Sequence, residues 1–177
     1  MRQTEIDNSA DILDSRDIIK RIKELNSERE DLQTAIDEAE EHWEAMRLLR
    51  SDAMDEPHLS EEAIEDCQNK LDDATEKRDA AQTALTDWDN SDEGTELKNL
   101  KDLAEQCEGY GDWRYGETLI HDSYFKEYAQ NLADEIGTVD NECTWPNTCI
   151  DWNQAAEELQ QDYTSVEFDG ETYWMRS

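Results

Sequence analysis

The side chains this sequence offers for chemistry are three histidines, four cysteines and 48 acids, and the first two groups assemble into nothing recognisable. His42, His58 and His121 have no partner at ligand spacing, so neither a zinc site nor a histidine-centred catalytic group is built from them, and they are expected on the surface. Asp87, Asp89 and Ser91 begin like a calcium-binding loop. The position that must turn sharply holds Asp92 instead of glycine, however, and the twelfth holds Lys98 instead of a bidentate acid. No glycine-rich phosphate cradle occurs, and no serine sits on a nucleophile elbow. Carboxylate pairs are so numerous that a pair at hydrolase separation carries no weight. The expectation is a protein that is not an enzyme, with no metal and no cofactor.

Cys67 falls on a helical seam and Cys107 at the end of a helical run, where each reads as a small buried hydrophobe. Cys143 and Cys149 flank Trp145 and Pro146, close enough to pair but without metal-site spacing. Reduced thiols in a cytoplasmic protein are expected. No stretch reaches the length of a membrane span, and the first ten residues lack the apolar core of a signal peptide.

What remains is the acid, 48 Asp and Glu against 16 Lys and Arg for a net charge of -32. Its distribution is uneven. Bases cluster early, at Arg16, Lys20, Arg21, Lys23 and Arg29. Glu30, Asp31, Asp37, Glu38, Glu40, Glu41 and Glu44 then follow with no base among them. After Arg47 and Arg50 the acid resumes with Asp52, Asp55, Glu56, Glu61, Glu62, Glu65 and Asp66, before Lys70 and then Asp72 and Asp73. Residues 51 to 108 carry 19 acids and 5 bases, against 14 and 8 in residues 1 to 50.

The element that must position these acids is a helical hairpin. Ile18, Ile22, Leu25, Arg29, Leu32, Ile36, Ala39, Trp43 and Met46 recur at alternating four- and three-residue steps, the seam of a heptad repeat. Ile64, Cys67, Leu71, Ala74, Arg78, Ala81, Leu85 and Trp88 repeat the pattern. Between the arms, Pro57 cannot continue a helix, and Ser60 can cap the next one. Antiparallel arms turning about Asp55 pair Met46 with Ile64, Trp43 with Cys67, Ala39 with Leu71, Ile36 with Ala74 and Leu25 with Leu85. A first arm ending near Arg50 gives a rod of roughly 45 to 60 Å. Its charge is of nucleic-acid density: net -20 over residues 1 to 108 is about one charge per 3 Å, like a single strand, where duplex DNA has about one per 1.7 Å.

The remainder of the chain reads in order. Residues 1 to 10 form a flexible lead-in, with Asn8 or Ser9 capping a helix from about Asp11. Ile12, Ile18, Ile19 and Ile22 make an apolar face wider than the seam, enough for another element or a second copy. A third helix from Thr95 to Cys107 turns Leu97, Leu100, Leu103, Ala104 and Cys107 inward. Gly109, Gly111 and Gly116 mark a boundary. Beyond it, a helix over Asp122 to Ile136 buries Tyr124, Phe125, Tyr128, Leu132 and Ile136 and ends at Gly137. A shorter helix runs from about Asp151 to Gln161, and residues 165 to 175 alternate about an Asp169-Gly170 turn. The fold class is mainly α: a long antiparallel helical (coiled-coil) hairpin plus a small α+β C-terminal domain with a terminal β-hairpin. The domains expected are 11 to 108 and 109 to 177.

Residues 127 to 137 (EYAQNLADEIG), 149 to 159 (CIDWNQAAEEL), Tyr163 and the 166 to 173 hairpin (VEFDGETY) resemble the final domain of ArdA-type antirestriction proteins. The resemblance covers about residues 120 to 177. That family consists of acidic DNA mimics from phages and mobile elements that block restriction enzymes, usually as dimers. The resemblance implies a homodimer, and the acids of the C-terminal segment, Asp134, Glu135, Asp151, Glu157, Glu158 and Asp162, join those of the hairpin as expected phosphate mimics. The family's first two domains are replaced here by the hairpin, so its usual target does not carry over.

Disorder fits the charge but not the sustained heptads and six tryptophans. Adaptation to high salt fits poorly with nearly as many Lys as Arg, seven against nine, and plentiful Asn and Gln. The expected function is occlusion of the basic DNA-binding groove of a host defence protein, with no direct nucleic-acid binding and no membrane contact. The alternative is a coiled-coil adaptor whose Trp-rich C-terminal domain recognises a partner while the acid keeps the chain in solution.

Overall fold

The computed structural model describes residues 5–110, 112–139, 145 and 147–176. Two compact units result, one from Glu24–Thr95 and the other from Met1–Lys23 with Glu96–Ser177. Cys143, half of the pair considered above, lies outside the described residues.

The first unit is the hairpin. Most of helix α1 (Ser15–Asp55) runs back along helix α2 (Glu61–Asp89). Leu25, Ile36, Ala74 and Leu85 are buried on the seam, and the other expected seam residues of this unit are half-buried. Ser60 caps α2 by accepting the Ala63 amide at 3.3 Å, with Glu61 and Glu62 in the first turn.

The register differs from the expected one. Trp43 donates its indole N–H to Thr75 Oγ1 at 3.0 Å and meets the Arg78 guanidinium, while Arg29 Nε reaches Asp89 Oδ1 at 2.8 Å. Those contacts lie about one heptad further along α2 than pairing of Trp43 with Cys67 requires. A slip of seven residues keeps every seam residue on the seam, so apolar periodicity cannot choose between the two registers. The link chooses: α1 continues past Arg50 to Asp55, burying Ala53, and leaves residues 56–60 to turn the chain.

The second unit is built on an antiparallel sheet in the order β1-β2-β4-β3, with β1 Ile12–Asp14, β2 Thr118–His121, β3 Tyr163–Phe168 and β4 Glu171–Arg176. Ile120 on β2 and Trp174 on β4 are paired, and their face of the sheet buries Phe125, Ala129 and Ala156. These come from α5 (Phe125–Glu135) and α6 (Trp152–Leu159). Leu13, Leu119, Val166, Phe168, Tyr173 and Met175 alternate onto the other face, and all are buried. Helix α3 (Asp92–Cys107) buries Leu97, Leu100, Leu103 and Cys107, starting three residues earlier than expected. Its Gln106 amide donates to Glu167 O and accepts from Glu167 N, both at 2.9 Å, covering part of the open β3 edge. The Asp169-Gly170 turn has φ of 48° and 84°, the two positive values of a type I′ turn.

Several expectations change here. Residues 12–14 pair with β2, through Leu13 with Leu119, so α1 starts at Ser15 and not near Asp11. The strand competes successfully with local helix propensity because Asp11 O also accepts the His121 amide and Ser15 donates to Glu117 O. Residues 5–10 are tied rather than loose: Ile6 donates to Glu96, and the Tyr173 hydroxyl donates to Ala10 O at 2.8 Å. The chain therefore divides elsewhere than at residue 108, since β1 and α3 belong with the sheet. Ile136 is 64% exposed where burial was expected. It sits at the C-cap of α5, where Gly137 (φ 71°) turns the chain, with Gly137 N bonded to Asp134 O and Thr138 N to Ala133 O.

Candidate functional site

Because the seam uses one side of each arm, helical geometry puts every third or fourth residue of the far side into solvent. On α1 that outer stripe reads Glu30, Asp37, Glu41, Glu44, Asp52 and Asp55, flanked by Asp31, Glu38 and Glu40, and all are exposed. On α2 it reads Glu62, Glu65 and Asp72, with Glu61, Asp66 and Asp73 beside it, all again exposed. Glu56 lies in the turn and is exposed too.

Few of these acids are neutralised. From Glu30 to Glu65 the one acid in an ion pair with a described residue is Glu44, 3.3 Å from Arg47. Within α2 the pairs are Lys70 with Asp66, Lys77 with Asp73 and Arg78 with Asp79, each between near neighbours, and Asp89 at its end pairs with Arg29 across the arms. Arg47 and Arg78 also lie 5.7 Å and 4.7 Å from the Trp43 ring centroid, which holds two of the hairpin's cations against one indole. Nothing in the heptad pattern signals that cluster.

Between Glu30 and Asp55, α1 carries nine acids and two arginines over roughly 38 Å. The antiparallel stretch of α2 from Glu61 to Asp87 carries nine acids and three bases. Side by side they leave a net negative charge roughly every 3 Å, close to the ~3.4 Å axial step of one nucleic-acid strand.

The placement of acid also opposes helix stability. No basic residue occupies the last turn of α1, α2, α3, α5 or α6, although cations are favoured at that end. Asp52 and Asp55, Asp87 and Asp89, Asp134 and Glu135, and Glu157 and Glu158 stand there instead. Acid at the negative ends of four helices is not what helix propensity would select.

In the sheet unit the predicted acids are separated by role. Asp151 is the N-cap of α6, its Oδ1 accepting Asn153 N at 3.0 Å and Gln154 N at 3.2 Å, so its carboxylate is already engaged. Glu158 accepts from Gln154. Asp134, Glu135, Glu157 and Asp162 are exposed on separate elements and form no stripe comparable to that of the hairpin.

The sites considered for other chemistry take ordinary places. Asp87 and Asp89 lie in the last helical turn of α2, and Ser91 Oγ donates to Trp88 O, so these residues form no cation-binding loop. His42 and His58 are exposed. His121, expected on the surface, is half-buried: its ring bonds the Ser123 hydroxyl at 2.7 Å and stands edge-on to Tyr173. No group of three His, Cys, Asp or Glu among the described residues could hold a metal ion. No helix among them is long and apolar enough to cross a membrane. No protein-family model, curated protein or solved structure matches the chain.

Proposed function

We propose that the protein is an acidic DNA mimic that inhibits a host DNA-binding defence enzyme by occupying its nucleic-acid groove. The observation that carries this reading is the stripe from Glu30 to Glu65, exposed on a two-helix spine and almost without counter-charge. Lysines and arginines arrayed for phosphates would meet carboxylates at comparable intervals, with association steered at long range and weakened by salt. The likeness of residues 120 to 177 to the ArdA-type end domain points to the same class of target, in the host cytoplasm.

The test is capture from host lysate at ~50 mM salt, repeated with competing duplex DNA and at ~500 mM salt. The expected captured protein binds DNA, and both treatments release it. Glu38→Lys combined with Glu41→Lys abolishes capture while leaving the helical content unchanged. A captured protein that holds duplex DNA and this chain together overturns the proposal.

The adaptor reading draws on a different observation: Tyr115 and Trp145 are 80% and 77% exposed in the sheet unit. It predicts that the double charge reversal leaves capture intact, whereas Tyr115→Ser with Trp145→Ser removes it.

A further inference from the structure

The sheet unit also contains a groove of about 710 Å³, formed by the first turns of α1, by α3 and by the short helix α4 (Trp113–Gly116). Ile19, Ile22, Ala104 and Trp113 make its apolar walls. Lys23, Lys101 and Arg114 line it as well, three of only 16 basic residues in the chain. Whereas most cations on the hairpin are bound to a neighbouring acid, these three make no ion pair with any described residue. Glu105 and Glu108 share the lining, also without an ion pair, so the groove has a local excess of one positive charge within a chain of net -32.

Unpaired cations beside available acids, around a mainly apolar wall, are the composition of a ligand site and not of a neutralised surface. A few polar groups on apolar walls, in a volume of several hundred Å³, suit a small organic molecule. The groove is also braced. One residue before Ile22, Arg21 makes a buried two-pronged contact to Glu96 of α3, at 2.9 Å and 2.6 Å, which ties the two helices together beside it.

We propose that this groove binds an organic anion with an apolar body, its charged head taken by Lys23, Lys101 and Arg114 and its body laid against Ile19, Ile22 and Trp113. The site lies in a different unit from the acidic stripe and does not depend on mimicry. The rest of the molecule makes the test stringent, because the overall field repels anions and only local attraction can hold one.

The experiment titrates the whole chain with anilinonaphthalene sulfonate, an aromatic anion, following probe fluorescence and energy transfer from tryptophan. Saturable binding of one probe per chain is expected, reversed by dodecanoate and not by dodecyltrimethylammonium. Lys101→Glu weakens binding by at least about tenfold, the scale of one lost charge-assisted contact. Lys98→Glu makes the same charge change on α3 outside the groove and leaves binding unaltered. Ala104→Trp fills the groove and removes binding with the circular dichroism unchanged, and if that variant unfolds, the comparison of Lys101→Glu with Lys98→Glu decides alone. Equal weakening by the two lysine variants, equal displacement by the cationic amphiphile, or unsaturable binding overturns the assignment.

Discussion

The two units handle charge in opposite ways. In the sheet unit, Arg21 and Glu96 are sealed from solvent, with side chains 9% and 5% exposed, and Glu96 takes a further bond from the Ile6 amide. In the hairpin, Arg29 and Asp89 make the same two-pronged contact with side chains 42% and 41% exposed. The first pair is part of a folded interior, while the second ties two arms whose outer faces are left charged. Identical geometry thus means different energetics, because water screens one pair and not the other.

Removing one partner from each pair gives the largest contrast. Glu96→Ala breaks a buried two-pronged contact and removes the acceptor of the Ile6 amide, and is expected to cost about 3 to 5 kcal/mol in denaturant unfolding. Asp89→Ala is expected to cost less than about 1 kcal/mol. Comparable losses would mean that the hairpin pair is as important to folding as the buried one.

Alkaline pH separates the units next. Burial pushes the Cys107 thiol from 9.0 up to about 12 and the Tyr173 hydroxyl from 10.0 up to about 12. Below pH 9 both groups are protonated in the folded and unfolded chains, and their contribution is fully present. Between pH 9 and 12 the unfolded chain releases protons that the folded chain keeps, so stability of the sheet unit falls across that window. Unfolding midpoints taken at intervals from pH 8 to 11 should decline, and Cys107→Ala should flatten the start of the decline. Iodoacetamide at neutral pH should modify exposed Cys149 and spare buried Cys107.

The smaller third effect concerns the register. Trp43 and Arg78 are expected to couple by about 0.5 to 1 kcal/mol in a double-mutant cycle of Trp43→Leu and Arg78→Gln. Trp43 and Cys67, neighbours in the alternative register, should show no coupling. The reverse outcome would place the hairpin one heptad away from the arrangement described here.

That register shows where reading the sequence succeeded and where it ran out. Heptad spacing identified the two arms and the outward side of the acids from Glu30 to Asp73, because a seam declares its own opposite face, but it ended the first arm near Arg50, short of Asp55. It could not distinguish a seven-residue slip, since the contacts that do so, Trp43 with Thr75 and Arg29 with Asp89, are polar and specific. The terminal hairpin was legible because Asp169-Gly170 is a local signal. Strands β1 and β2 were not: each has at most four residues, and their pairing joins positions about a hundred residues apart. The groove escaped for the same reason, since Lys23, Lys101 and Arg114 meet only after the chain has folded.

The smallest effect is the most informative about the acidic stripe. If its carboxylates serve a partner and not the fold, neutralising them should relieve repulsion instead of removing support. Asp37→Asn, Glu41→Gln and Asp52→Asn together are therefore expected to leave the unfolding midpoint of the hairpin unchanged or slightly raised. Asp52 sits near the C-terminal end of α1, where a neutral side chain suits the helix better than an anion. Added salt should do for the unmodified hairpin what the substitutions do, raising its midpoint by screening like charges along both arms, and the gain should shrink in the triple variant. A midpoint that drops on neutralisation would assign the stripe a structural role and remove the main reason to look for a basic partner. A midpoint that rises while partner capture is lost would mark these acids as kept for binding at the expense of stability.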